Sequence, residues 1–186
     1  MLLNANYYID NNNIKKAADI LQDILNFKIE YSDLYFLLGK LFKKRSHLNK
    51  AEFCFLKTLK FEYFNSQSLF YLSLINFIKK NYLDCIKYLK EFIIKINNYK
   101  VDCNVYYLLS CSYYQLNMLN DAIKYIKLAI SIKFKNSFIL LLNNIQTKQL
   151  LKKKTHTIPE NINIINFTNK SLNSTNINSR KSSLKI

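Results

Sequence analysis

The chain holds a single glycine, Gly39, and a single proline, Pro159, among its 186 residues. A sheet protein with many tight turns draws on both, because glycine supplies left-handed backbone and proline presets a turn. Their scarcity argues against that class and favours long helices joined by short polar turns. Long apolar runs are missing as well. Stretches such as Phe138 to Leu142 fall far short of the roughly 20 residues needed to span a bilayer, so no membrane span is expected. The N-terminus, Met1-Leu2-Leu3-Asn4, has neither the basic region nor the sustained apolar region of a secretory signal.

Catalytic chemistry is equally scarce. The two histidines, His47 and His156, fall in an expected turn and near the C-terminal tail, so no helix presents a pair of imidazoles to a metal. No CxxC, HExxH or nucleophile elbow occurs, and Gly39 alone cannot build a phosphate loop. Acidic residues are scattered singly. The expectation is therefore no enzymatic activity, no catalytic residue, no cofactor and no metal site.

What is abundant is apolar bulk and positive charge. Hydrophobic residues make up 49% and aromatics 15% of the chain, enough for one domain with an ample core. The formal charge is +16. After residue 151, seven lysines and arginines stand against Glu160, leaving +6 there and +10 over the rest. Such a field draws acidic partners, RNA or anionic surfaces non-specifically, although lysine is also the common solvating residue of this composition. Runs such as Asn11-Asn12-Asn13 read as compositional bias with little structural meaning. Four cysteines (Cys54, Cys85, Cys103, Cys111) fall within or at the start of expected helices. Cys103 and Cys111 lie about 12 Å apart along a helix, too far to be bridged. Buried reduced thiols fit a reducing intracellular compartment, cytoplasmic or nuclear.

The organising pattern lies at residues 32–65. Tyr35, Leu38, Gly39 and Phe42 are followed by Ala51 and Phe55. Tyr35, Leu38 and Phe42 share one stripe of a helix. Gly39 and Ala51 leave room for a second, antiparallel helix to approach. The pattern recurs at Leu69, Leu72, Ser73, Cys85 and Leu89, then at Tyr106, Leu109, Ser110, Tyr113, Ala122 and Ile126, and backward at Ala5, Tyr8, Ala17 and Leu21. The close-approach position reads Ala5, Gly39, Ser73, Ser110, and its partner reads Ala17, Ala51, Cys85, Ala122. Each is small. Such hairpins cannot bury their apolar faces alone and must stack.

Aromatic-x2-Leu-Gly-x2-aromatic followed by Ala-x3-Phe, repeated every 34 residues, resembles the tetratricopeptide repeat (TPR) family. The resemblance covers residues 1 to about 150. The sequence departs from the family in having no tryptophan at the first position, Asn4 in place of leucine, Asn76 in place of an aromatic, and Tyr63, Asn97 and Phe134 where a proline usually closes each repeat. The implied fold is all-α, a TPR-type superhelical solenoid of antiparallel helix pairs. Copies fall at about 1–31, 32–65, 66–99 and 103–136, and residues 100–102 read as a small insertion. Helices are expected at about Leu2–Asp10 and Ile14–Phe27, with Ser32 or Asp33 capping the next. Phe138, Leu141, Leu142 and Ile145 mark an amphipathic capping helix at 137–153, covering the open end of the stack. Residues 154–186, rich in Asn, Ser, Thr and Lys, are expected to be a disordered basic tail.

In TPR proteins the first helix of each hairpin lines a concave groove through repeat positions two, five, nine, twelve and thirteen. Carried over, the resemblance implies a partner-binding groove of Phe36, Lys40, Lys43 and Lys44, then Phe70, Leu74 and Phe77, then Tyr107, Cys111 and Tyr114, with Asp33, Gln67, Ile78, Asn104 and Gln115 at its remaining positions. The implied function is a non-enzymatic adaptor, or a scaffold subunit within a larger complex. It holds an extended peptide or amphipathic helix from a protein partner, and the lysines at the N-terminal side of the groove suit an acidic one. Burial of Phe70, Leu74, Phe77 and Ile78 by tight superhelical packing or by the protein's own tail is the competing expectation. The carboxylate clamp of chaperone-binding TPR proteins is missing: its places hold Phe36, Lys40, Tyr71, Asn104 and Leu108, or one copy earlier Leu2, Asn6, Leu37, Gln67 and Tyr71. Neither set offers two cations to one carboxylate. The alternative is an RNA-binding helical repeat of pentatricopeptide type. The 34-residue step and the large apolar groove residues speak against it, so nucleic acid is an unlikely partner.

Overall fold

The computed structural model describes residues 1–27, 32–61, 66–97 and 101–156. Among them are nine helices and no strand: α1 Leu2–Asp10, α2 Ile14–Asn26, α3 Ser32–Lys44, α4 Leu48–Phe61, α5 Ser66–Ile78, α6 Tyr82–Lys95, α7 Cys103–Gln115, α8 Leu119–Ile132 and α9 Asn136–His156. Residues 1–150 form a first compact unit. The first unit packs as four hairpins, α1/α2 to α7/α8, with each hairpin resting on the next. The tail expectation from residue 157 onward, and part of the expected insertion at 100–102, lie outside the described residues.

Spacing decides the stacking. All eight small close-approach residues are buried: Ala5, Gly39, Ser73 and Ser110 on first helices, Ala17, Ala51, Cys85 and Ala122 on second helices. In the second hairpin, the group lying under Gly39 is the ring of Phe55, one turn beyond Ala51. In the fourth, Ser110 Oγ donates to the carbonyl of Ala122 at 2.7 Å, tying the two rows together directly. Between these rows sit fully buried Leu21, Leu72, Leu89, Leu109 and Ile126, each stabilising the fold by roughly 1.5–3 kcal/mol. Phe138 and Ile145 of α9 are buried against the last hairpin, with Leu141 and Leu142 packed alongside.

The turns inside the hairpins need left-handed backbone but have no glycine. Asn12, Ser46, Lys80 and Asn117 take φ of 60°, 61°, 64° and 60°. In each turn the following amide returns to a carbonyl five residues back, as in Asn13 to Tyr8 at 2.8 Å and His47 to Phe42 at 2.9 Å. This is the double-bonded closure that ends a helix on a left-handed residue. The asparagine run at 11–13 therefore has a structural role, against the compositional reading: Asn12 makes the turn, and Asn13 Oδ1 accepts from the Lys16 amide at the start of α2. Ser32 does not cap α3; it is the helix's first residue and is buried. Asp102 caps α7, accepting from the Asn104 amide at 2.6 Å. The last helix continues to His156, beyond the expected Lys153, because no breaker intervenes before Pro159.

Candidate partner-binding groove

The ten groove candidates lie on the first helices of three consecutive hairpins: Phe36 to Lys44 on α3, Phe70 to Phe77 on α5, Tyr107 to Tyr114 on α7. None is fully buried. Lys44 is exposed and the other nine are partly exposed.

The α3 side chains are engaged with their neighbours. Lys40 Nζ donates to Asn6 Oδ1 at 2.6 Å and to Asp10 Oδ1 at 2.8 Å, so its charge is answered within the chain. Because 40 − 6 is 34, Asn6 holds the same repeat position on the preceding first helix, and the pairing is one between adjacent repeats. Lys43 lies 5.3 Å from the centroid of the Tyr71 ring, a cation–π placement. Burial, and secondarily the like charge of Lys44, lower its pKa from the ordinary lysine value. Phe36 meets Tyr71 edge-on at 5.7 Å and Phe55 at 5.8 Å. Tyr71 in turn stacks flat on Phe55 at 4.9 Å. Burial, with the Asp10 carboxylate behind it, raises the Tyr71 pKa, so this phenol stays neutral. Tyr71 was not among the candidates, though it sits beside Phe70 in the sequence and joins the α3 and α5 contributions.

On α5, Phe70 packs against Phe92 at 5.7 Å and Phe77 against Tyr82 at 5.6 Å. Ile78 stays 56% exposed at the end of that helix. On α7, Tyr107 stacks on the buried Phe138 at 4.8 Å, and Tyr114 carries Lys148 at 4.6 Å from its ring centroid. Burial raises the Cys111 thiol above its usual range, and a hydrogen bond with Tyr107 opposes part of that shift. The aromatic candidates are thus half committed to the fold. Ile78, Lys44, Gln67, Asn104 and Gln115 present the open surface. Among the described residues no cluster of three or more His, Cys, Asp or Glu could hold a metal ion, and no helix is long and apolar enough to cross a membrane.

The tetratricopeptide repeat family model matches residues 104–136, the hairpin of α7 and α8. Solved structures with the same architecture include MamA, residue 41 to the end, from Desulfovibrio magneticus RS-1. It is 14% identical, with a TM-score of 0.70 over 82% of this chain and 85% of that one. PilF of Pseudomonas aeruginosa is 17% identical, with a TM-score of 0.68 over 83% and 70%. The array has the fold of a TPR solenoid. The first TPR of RPAP3, solved with an HSP90 peptide, is 13% identical and superposes with a TM-score of 0.58 over 64% of this chain and 93% of that one. No curated protein matches the sequence. Within the TPR frame, the Lys40–Asn6 bond links position nine of two successive repeats, and Tyr114 with Lys148 repeats the relationship at position twelve between α7 and α9.

Proposed function

We propose that the protein is a non-enzymatic adaptor or scaffold subunit that holds an extended peptide or amphipathic helix of a protein partner along the first-helix side of its TPR array. The observation that carries the reading is partial exposure across three helices. Phe36, Phe70, Leu74, Phe77, Tyr107, Cys111 and Tyr114 form a mostly apolar surface that is neither sealed nor free. Ile78 is left as an apolar anchor point without cover. Interfaces take most of their energy from a few such apolar and aromatic anchors.

Acidic character in the partner is met at Lys44 and Lys43. Lys40, which already holds Asp10, contributes little. Four free cysteines, three of them buried, support a reducing compartment, cytoplasmic or nuclear.

The test is affinity capture from source lysate, with and without ribonuclease, using the wild-type chain and an Ile78→Asp, Lys44→Glu variant whose changes lie at open positions. A protein retained after nuclease and lost from the variant, with helical circular dichroism unchanged, supports the reading. Retention that disappears with nuclease points instead to an RNA-binding repeat.

A further inference from the structure

We propose that the second-helix side of hairpins two to four adsorbs to an anionic bilayer surface, independently of the groove. In a stack of hairpins, repeat-equivalent positions on successive second helices come to the same side. On α6 and α8 those positions carry Lys87 with Lys124 and Lys90 with Lys127; α4 has Phe53 and Leu56 there, with Lys57 and Lys60 about one turn further on. Interleaved with them are exposed Phe53, Phe61, Leu83, Ile94, Leu128 and Ile132. Leu83 and Ile94 are 70% and 71% exposed.

The first hairpin breaks the pattern. Its α2 places Asp19 where α6 and α8 place Lys87 and Lys124, and Asp23 where α4 places Lys57, so the basic side begins at α4. The three helices also carry acids: Asp84, Glu91 and Asp121, and Glu52, which is bonded to Lys79 of α5. Eight lysines against these four still leave +4 on α4, α6 and α8.

Besides Lys50 at Phe42, three of the lysines are held at rings. Lys57 lies 5.5 Å from the Tyr35 centroid and 5.9 Å from that of Phe53. Lys90 lies 5.8 Å from Tyr113, and Lys124 5.8 Å from Tyr125. Their stems cover apolar surface while the charge stays at the water boundary, the arrangement suited to a membrane interface. Exposed aliphatic side chains interleaved with lysine supply the two signals, apolar insertion and attraction to anionic headgroups, that peripheral attachment needs.

A nucleic acid fits this side less well. Single strands stack bases on open aromatic faces, whereas here Tyr113 stacks on Tyr125 at 5.4 Å, Tyr106 on Tyr125 at 6.3 Å and Phe61 on Tyr35 at 5.9 Å, and the Phe53 ring carries Lys57.

The experiment is cosedimentation of the full chain with phosphatidylcholine vesicles, with and without about 30% phosphatidylserine. Retention at least about tenfold greater on the anionic vesicles is expected, falling away at about 0.5 M salt as screening shortens. Lys60→Glu, Lys87→Glu and Lys127→Glu together lower the net charge by 6 at exposed positions and abolish retention. A charge-matched variant, Lys43→Glu, Lys44→Glu and Arg45→Glu, keeps it. Leu83→Ser with Ile94→Ser weakens it about tenfold at constant charge. Equal loss in both charge variants, no retention on anionic vesicles, or association with added RNA in place of vesicles would each overturn the proposal.

Discussion

A Cβ on Gly39 would lie 2.7 Å from Cε1 of Phe55, and 2.8 and 2.9 Å from Cζ and Cδ1. The ring cannot retreat cheaply. It is fully buried, stacked flat on Tyr71 and met edge-on by Phe36. The only glycine of the chain is thus fixed by contact with one aromatic ring, and two opposed effects decide what alanine does there.

Gly39→Ala gains roughly 1 kcal/mol of helix propensity and incurs overpacking of about 1–3 kcal/mol. The net expectation is a loss near 1 kcal/mol, seen as a melting temperature lower by about 2–4 °C for a chain of this size. Adding Phe55→Leu relieves the clash, so the double variant loses less than the separate losses combined. A Gly39→Ala protein that melts higher than wild type shows that the ring yields freely.

Ser73 and Ser110 hold the same repeat position but bond differently. Ser110 Oγ reaches across the hairpin to Ala122, whereas Ser73 Oγ turns back to the Phe70 carbonyl of its own helix at 2.6 Å. Ser110→Ala should therefore cost about 1 kcal/mol. Ser73→Ala should be close to neutral, since alanine's better propensity offsets a local bond. Urea unfolding midpoints with unchanged slopes decide it; equal costs at the two sites would refute the distinction.

The stacking was legible in the sequence because it depends on side-chain size at a fixed interval. Ala5, Gly39, Ser73 and Ser110 could be found by counting, and so could their partners. Polar pairings at the candidate groove were harder. Lys40 falls at a groove position by spacing, yet it is bonded to Asp10, 30 residues earlier; only the 34-residue step to Asn6 points to such a contact. Asn76, standing where the family has an aromatic, is buried; its amide donates to the Leu72 carbonyl at 2.9 Å and to Glu52 Oε1 of α4 at 3.4 Å, and its Oδ1 accepts from Asn81. That solution depends on rotamer choice and on a partner 24 residues earlier, which spacing does not reveal. The missing glycines at the turns were visible as an absence, but Ser46 and Lys80 gave no sign of left-handed backbone.

Those turns yield a prediction of opposite sign. A lysine held at φ 64° is strained by roughly 1–2 kcal/mol relative to right-handed backbone. Glycine removes the strain and costs some unfolded-state entropy. Lys80→Gly should raise stability by about 0.5–1 kcal/mol. Asn117→Gly should change little, because asparagine already tolerates this region. A Lys80→Gly variant that melts no higher than wild type would show that the strain is relieved elsewhere in the turn.

Thiol ionisation sets an alkaline limit on the fold. Burial pushes the Cys54 and Cys85 thiols from 9.0 up to about 11, the Ser112 hydrogen bond to Cys85 offsetting only part of that effect. The folded chain thus favours the neutral thiol. Its contribution is fully present below pH 9 and is lost as pH rises from the unfolded value toward about 11. Urea midpoints measured across that window should fall, and Cys54→Ala with Cys85→Ala should flatten the fall even though the variant starts lower. At pH 8, a thiol-specific disulfide reagent should modify partly exposed Cys111 first and reach Cys54 and Cys85 only as fast as the protein opens. Immediate modification of all four cysteines in native protein would contradict the buried placement on which the pH dependence rests.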